Sequence, residues 1–486
     1  MEVEEDNKNL KSKALKGILW GGLSNATQQL LGLIFGLYLA RNLSDEEYGI
    51  VGLLTVFSLI ASAIQESGFI NALANKKDIT HKDYNAVFWM NIMLSIGLYL
   101  ILFFAAPFIA LYFKTPELTV LARVLFLSFI CGSFGIVHSA YLFKNLKVKE
   151  RALATTLAVF IAGIVAIVLV HFNFSYWSLV AQSITYSACF ASICMYFSDF
   201  KPSLKIDFSP IASMWKFSSK ILASNIVNVI NNNILTLFFG RFFTKAIVGN
   251  YAQADKWSKM PQGIIANMSH GFAQPLLAQF ENDADKQNQI FIKLLRFICF
   301  LTFPALALLS IISKEFIYIS IGEKWQSAVP LLEILCLNAA FLPLINYYSN
   351  YFLSRGASQV YMVHNIAYGI AQIIILITLR NQPINYIVTA ISIFTAIWTF
   401  VWQISITRYS KISYATLSTI LLSHLGTALI AAATAYLLTE LITTNIYLAL
   451  CLKVIIFALI YLSSHLLLKS VILDELISIV KKKICK

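Results

Sequence analysis

Fourteen apolar runs, separated by breaks of no more than about 16 residues, occupy nearly the whole chain. They fall at about 15–40, 47–70, 84–112, 117–143, 151–171, 175–197, 210–240, 246–277, 290–312, 329–353, 359–380, 385–407, 414–438 and 444–468. A membrane-spanning helix needs roughly 20 predominantly apolar residues, and each run supplies them. Of the 486 residues, 58% are hydrophobic and only 13% charged, with a mean hydropathy of +0.72. That composition excludes an ordinary cytosolic enzyme and a disordered chain. Long continuous runs also exclude a porin-type barrel, whose strands alternate over short segments. The expected fold is an all-α polytopic membrane protein with about 14 transmembrane helices.

The formal charge of +13 forms no nucleic-acid-reading face, because the basic residues are scattered between apolar runs. Their distribution instead tests the span count. With the N-terminus placed inside, 26 of the 37 Lys and Arg fall on the cytoplasmic side, seven on the opposite side and four within spans. This asymmetry follows the positive-inside rule and puts both termini on the cytoplasmic side. The first apolar run is too long for a signal-peptide core and has no A-x-A exit, so it reads as an uncleaved span. Six of the seven cysteines sit inside apolar runs, as small core hydrophobes do.

A 200-residue shift lays the first span over the seventh. Lys16 meets Lys216, Ser24 meets Ser224, Asn25 meets Asn225, Arg41 meets Arg241 and Gly49 meets Gly249. Six spans separate the two segments, an even number, so both run in one direction and the repeat is parallel. The chain divides accordingly into two six-helix lobes, 1–209 and 210–411. Spans 13 and 14 with a basic tail are appended at 412–486.

Polar residues inside the spans mark the candidate site. In span 8, Lys256, Lys259, Gly263, Asn267, His270 and Gln274 follow steps of three and four, which places them on one helical face. A charge near the bilayer centre costs roughly 2.5–3.5 kcal/mol on insertion scales, which favours a water-filled cavity between the lobes. An Asp255–Lys259 salt bridge, or lysines snorkelling to the interface, would explain the same residues. Asn25 and Gln28 on span 1 match Asn225 and Asn228 on span 7, and Asn232 matches Gly32; such stripes serve helix packing or cavity lining. Arg41 and Arg241 end their spans as interfacial anchors or cavity residues. Arg123, inside span 4, is a stronger cavity candidate. Glu66 and Asp255 are candidates for ion coupling, and isolated Lys453 suits a lipid headgroup.

Catalytic signatures are missing. There is no GxxxxGK[ST] loop, and the dispersed histidines offer no paired metal-ligand spacing. Asp283-Ala284-Asp285 resembles a glycosyltransferase DxD element, but no nucleotide-binding domain surrounds it. No cofactor or metal is expected, and transport is the default.

Several motifs narrow the class. Leu39-Ala40-Arg41-Asn42-Leu43 with Tyr48-Gly49, and Asn71-Ala72-Leu73 with Lys76-Lys77-Asp78-Ile79-Thr80, are two of them. Asp83-Tyr84-Asn85 with Phe88-Trp89, Tyr251 through Trp257 with Pro261, and Gly322-Glu323-Lys324-Trp325 follow in order. Together they resemble the Wzx-type polysaccharide flippases of the multidrug/oligosaccharidyl-lipid/polysaccharide superfamily, over most of residues 15–360. The resemblance implies two six-helix bundles around a central, often cationic cavity. It also implies ion-coupled translocation of undecaprenyl-pyrophosphate-linked oligosaccharides to the periplasmic leaflet, by a protein often monomeric beside a polymerase and a length regulator. Three other readings remain open. A multidrug extruder would need acidic cavity residues, a peptidoglycan-precursor flippase would share the carrier lipid, and a membrane assembly protein would tolerate loss of Lys256 and Lys259.

Overall fold

The computed structural model describes residues 2–66, 73, 79–280, 283–355, 357–410, 412–468 and 473. Its helices are α1 (Glu2–Asn42), α2 (Asp45–Glu66), α3 (His81–Tyr112), α4 (Leu118–Leu125), α5 (Leu127–Lys144), α6 (Val148–His171), α7 (Trp177–Phe197) and α8 (Ser209–Phe242). They continue as α9 (Lys245–Gln279), α10 (Ala284–Ile311), α11 (Ser313–Ser320), α12 (Ala328–Ser354), α13 (Ser358–Thr378), α14 (Ile384–Tyr409), α15 (Tyr414–Ile442) and α16 (Ile446–Leu467). No strand occurs among the described residues. With α4 and α5 taken as one interrupted span and the eight-residue α11 set aside, the long helices correspond to the fourteen apolar runs. Among the described residues, eleven are long and apolar enough to cross a membrane by length and composition alone. The others, α1, α8 and α9, are the ones that carry the polar stripes.

Local chemistry sets the helix ends. Thr80 and Asp83 form a capping box at α3, with the Thr80 N–H donating to the carboxylate at 2.9 Å. Ser413 accepts from the Thr416 N–H at 3.1 Å to cap α15, and Asn445 accepts from the Tyr447 and Leu448 N–H groups to cap α16. Asp283, first of the DxD-like pair, is the N-cap of α10 and accepts from the Lys286 N–H at 3.0 Å. Gly322 has φ +100°, a region that favours glycine, and it turns the chain so that Trp325 is fully buried.

The chain forms two compact units, 1–249 and 250–486. The first of these extends beyond the 209/210 repeat boundary because α8 packs along α2. In it, α6 presents Ala154, Ala158, Ala162 and Ala166, all buried, to α1 and α7. Small residues at four-residue spacing let helices approach closely, and the Phe35 ring of α1 fills the space that a Cβ at Gly163 would need. Helix ends keep the 200-residue register: α1 and α8 end at 42 and 242, α2 and α9 begin at 45 and 245. A Cβ at Gly49 would overlap the Lys245 carbonyl, and one at Gly249 would overlap that of Asp45. These contacts are reciprocal under the same shift, so the two glycines mark a local two-fold.

The Asp83–Trp89 motif clamps the connection after α7. Asn85 Nδ2 donates to the Lys205 carbonyl at 2.9 Å, its Oδ1 accepts from the Ser203 N–H at 2.8 Å, and Trp89 Nε1 donates to the Ser203 carbonyl at 2.8 Å. Lys147 pairs with Asp199 at 2.5 Å in the same region. The hydrogen bond and the facing charge hold the Asp199 carboxyl below its usual range and the Lys147 ammonium above its own.

The second unit is centred on α12, where Tyr347, Tyr348, Tyr351 and Phe352 are fully buried. Phe291 of α10 stacks on Tyr347 with centroids 4.8 Å apart, and Tyr347 Oη donates to the Phe291 carbonyl at 2.9 Å. Lys453 corrects a sequence expectation. It is 2% exposed, not at a headgroup, and donates to Glu315 Oε1 at 2.6 Å and to the Ile311 carbonyl at 3.0 Å. A buried ammonium needs such partners.

Candidate functional site: a polar cavity in the first unit

A cavity of about 580 Å³ opens within the first unit among α2, α5, α6 and α7. From α2 it takes Thr55, Ser58, Ser62 and Gln65, and from α5 Ser128. Arg151 and Thr155 come from α6, and Gln182, Ser183, Tyr186 and Ser187 from α7. Thr55, Thr155 and Ser183 each donate to the carbonyl four residues back in their own helix, at 3.1, 2.9 and 3.1 Å. That leaves hydroxyl lone pairs to accept from a guest. Gln65 Nε2 donates to the Phe129 carbonyl at 2.9 Å, which fixes the amide. Tyr186 and Phe190 stack nearly parallel, 10° apart, and provide an apolar wall.

Among the described residues, Arg151 supplies the cavity's one cationic side chain, and no carboxylate lines it. Its guanidinium lies 5.3 Å from the Phe143 ring centroid, and among the described residues it has no ion pair. A cation facing neutral hydroxyls and amides inside a membrane span suits a polar, hydroxylated guest bearing negative charge.

This cavity was not foreseen, although part of it was legible. Thr55, Ser58, Ser62 and Gln65 follow steps of three and four along one face of α2. Hydroxyls in apolar helices are commonly satisfied by their own backbone, so the pattern is weak without knowing what faces it. By sequence Arg151 reads as a cytoplasmic-side charge, because it stands in the first turn of its helix.

The expected site residues divide. On α9, Tyr251, Ala254, Trp257 and Ser258 are buried, while Lys256 is exposed and Lys259 half-buried. Lys256 Nζ lies 5.0 Å from the Trp257 ring centroid. Lys259 pairs with Asp255 at 2.8 Å, the salt bridge that the sequence left open. The side chains of Asn267, His270, Gln274 and Glu66 lie outside the described ones. Arg123 rests on α3, its guanidinium 4.2 Å from the Phe103 ring centroid, and does not line the cavity. Arg241 donates to the Tyr112 carbonyl and lies over the Tyr112 ring; a cation there complements the C-terminal end of α3. Arg41 is exposed. Asn25 is exposed, and Gln28 donates to Ser24 at 2.8 Å, which in turn donates to the Ala152 carbonyl at 3.2 Å. This part of the stripe joins α1 to α6. Asn225 and Asn228 are half-buried on α8 and Asn232 is exposed.

The profile of a family described as polysaccharide biosynthesis protein matches residues 38–330. The chain is 26% identical over 335 residues to the lipopolysaccharide biosynthesis protein WzxC of Escherichia coli (strain K12), covering 68% of this chain and 67% of that one. It is 23% identical over 346 residues to the succinoglycan biosynthesis transport protein ExoT of Rhizobium meliloti (strain 1021), covering 71% and 70%. Among solved structures it is similar to the lipid II flippase MurJ in an inward closed conformation. The TM-score is 0.76 at 18% identity, over 94% of this chain and all of that one. A MATE family multidrug resistance transporter of the MOP superfamily, inward-facing, gives a TM-score of 0.60 at 16% identity, over 81% and 96%. These two likenesses show the fold.

Proposed function

The chain belongs to the polysaccharide biosynthesis protein family, and on that premise we propose that it is a flippase for lipid-linked glycans. It carries undecaprenyl-pyrophosphate-linked oligosaccharide repeat units from the cytoplasmic to the periplasmic leaflet, by ion-coupled alternating access of the lobes 1–209 and 210–411. Polar headgroups cannot cross bare hydrocarbon without leaving charges and hydroxyls unsatisfied, at several kcal/mol each. The cavity in the first unit supports this reading most directly, since its hydroxyls, amides and single Arg151 offer partners for sugar and phosphate. Lys256 and Lys259 provide further positive charge for the pyrophosphate, and the isoprenoid tail stays in lipid. Glu66 and Asp255 are the candidates for the coupling ion. An inside-negative potential favours outward movement of an anionic headgroup by about 2.3 kcal/mol per charge per 100 mV.

Among the described residues the lining holds no carboxylate, which argues against the extrusion of lipophilic cations that the multidrug reading requires. We place the protein in the bacterial inner membrane with both termini cytoplasmic, as a monomer beside a polymerase and a length regulator. The test is mass spectrometry of isoprenoid-linked glycans after deletion of the gene, with the assembly enzymes intact. A complete pyrophosphate-linked oligosaccharide accumulating on the cytoplasmic leaflet is expected. An unchanged lipid pool would refute the reading.

A further inference from the structure

A second cavity, of about 450 Å³, lies in the second unit between α10 and α15 and is lined by Arg296, Thr416, Thr419, Ser423 and His424. Two of its groups lack partners. Arg296 is half-buried and has no hydrogen bond or ion pair among the described residues. His424 is 7% exposed, and its Nε2 is buried with no partner among them. The other ring nitrogen is committed: Nδ1 lies 2.7 Å from the Ile420 carbonyl, which can only accept, so Nδ1 carries the proton. In the neutral ring Nε2 is therefore an acceptor awaiting a donor. An uncompensated guanidinium calls for an anion, and a free imidazole nitrogen beside three hydroxyls calls for a hydroxyl-bearing one.

We propose that this cavity binds the phosphoglycerol headgroup of an anionic membrane lipid, with the phosphate on Arg296 and a glycerol hydroxyl donating to His424 Nε2. Thr416, Thr419 and Ser423 complete the polar wall. Position selects a lipid over a soluble phosphate. Arg296 and His424 stand about 22 Å and about 27 Å from the far ends of α10 and α15, at 1.5 Å per residue. In a hydrocarbon core about 30 Å thick, that is the level where the inner headgroups begin. Leu422, on α15 between the lining residues, is 52% exposed, so the headgroup site adjoins a surface suited to acyl chains. The assignment is independent of the cargo, and only the choice of leaflet rests on the orientation proposed above.

The test is native mass spectrometry of the full-length protein in detergent, titrated with phosphatidylglycerol or phosphatidylcholine, with free glycerol phosphate as competitor. One phosphatidylglycerol is expected to remain bound in preference to phosphatidylcholine. Arg296→Gln should weaken it at least about tenfold, and Arg296→Lys by less. Thr419→Val, which keeps the charge, should weaken it in the same direction, and all three variants should unfold at the wild-type temperature in phosphatidylcholine nanodiscs. Equal retention of both lipids, or full retention by Arg296→Gln, would overturn the proposal. Displacement by free glycerol phosphate at equal concentration would assign the site to a soluble ligand and overturn it too.

Discussion

Lys453 illustrates what a single residue reveals and conceals. Read in sequence, it is one charge in an apolar run; in the fold it meets Glu315, 138 positions away, with the two side chains 3% and 5% exposed. Nothing local in the sequence signals that pairing, because Glu315 reads as an ordinary residue of the break after span 9. Removing one member of a buried ion pair strands the other charge and costs about 3–5 kcal/mol, whereas replacing both by apolar residues is often neutral. Thermal unfolding in detergent should show Lys453→Ala strongly destabilised, and the Lys453→Met/Glu315→Leu double variant close to wild type. A wild-type melting temperature for Lys453→Ala would refute the buried pair. The α9 lysines lie on an accessible helical face, and their loss should affect transport more than folding. Lys256→Ala/Lys259→Ala is expected to insert at wild-type levels yet fail to support glycan export. Wild-type export in a well-expressed variant would remove both residues from the mechanism.

Among the elements, α2 and α9 meet where two repeat-related glycines leave no room for a side chain. Gly249→Ala should force the backbones apart and destabilise the protein by about 1–3 kcal/mol. Gly263, also on α9, has open space around its would-be Cβ, so Gly263→Ala should be neutral or stabilise by up to about 1 kcal/mol. Melting temperatures of the two variants check the contrast, and equal values would contradict the close approach. Helix existence was legible from hydropathy, and even the 42/242 and 45/245 helix ends follow the register of the sequence repeat. The role of the Asp83–Trp89 motif was not, since Asn85 and Trp89 meet their partners 114 to 120 residues later. A motif shows which side chains matter without showing what they hold.

For the whole molecule, the count of spans and their polar exceptions follow from apolar run length. Among the described residues, the three helices outside the eleven membrane-spanning ones are the three whose polar faces the sequence singles out. What the sequence hid is concavity. The charged residues it favoured are partly committed elsewhere, Lys259 to Asp255 and Arg123 to Phe103, while serines and threonines from separate helices converge on the cavity that Arg151 also lines. Convergence of that kind depends on which helices are neighbours, and periodicity within one helix carries no record of it. The central claim is that this convergence accommodates the headgroup of a lipid-linked glycan. It is tested most directly by leaflet-resolved translocation of such a glycan in proteoliposomes, comparing wild type with Arg151→Gln/Gln182→Ala at equal protein density. Wild type should move the lipid, and the variant should do so at least about tenfold more slowly, a loss matching one charge-assisted hydrogen bond. Equal rates, or no movement above protein-free vesicles, would contradict the account.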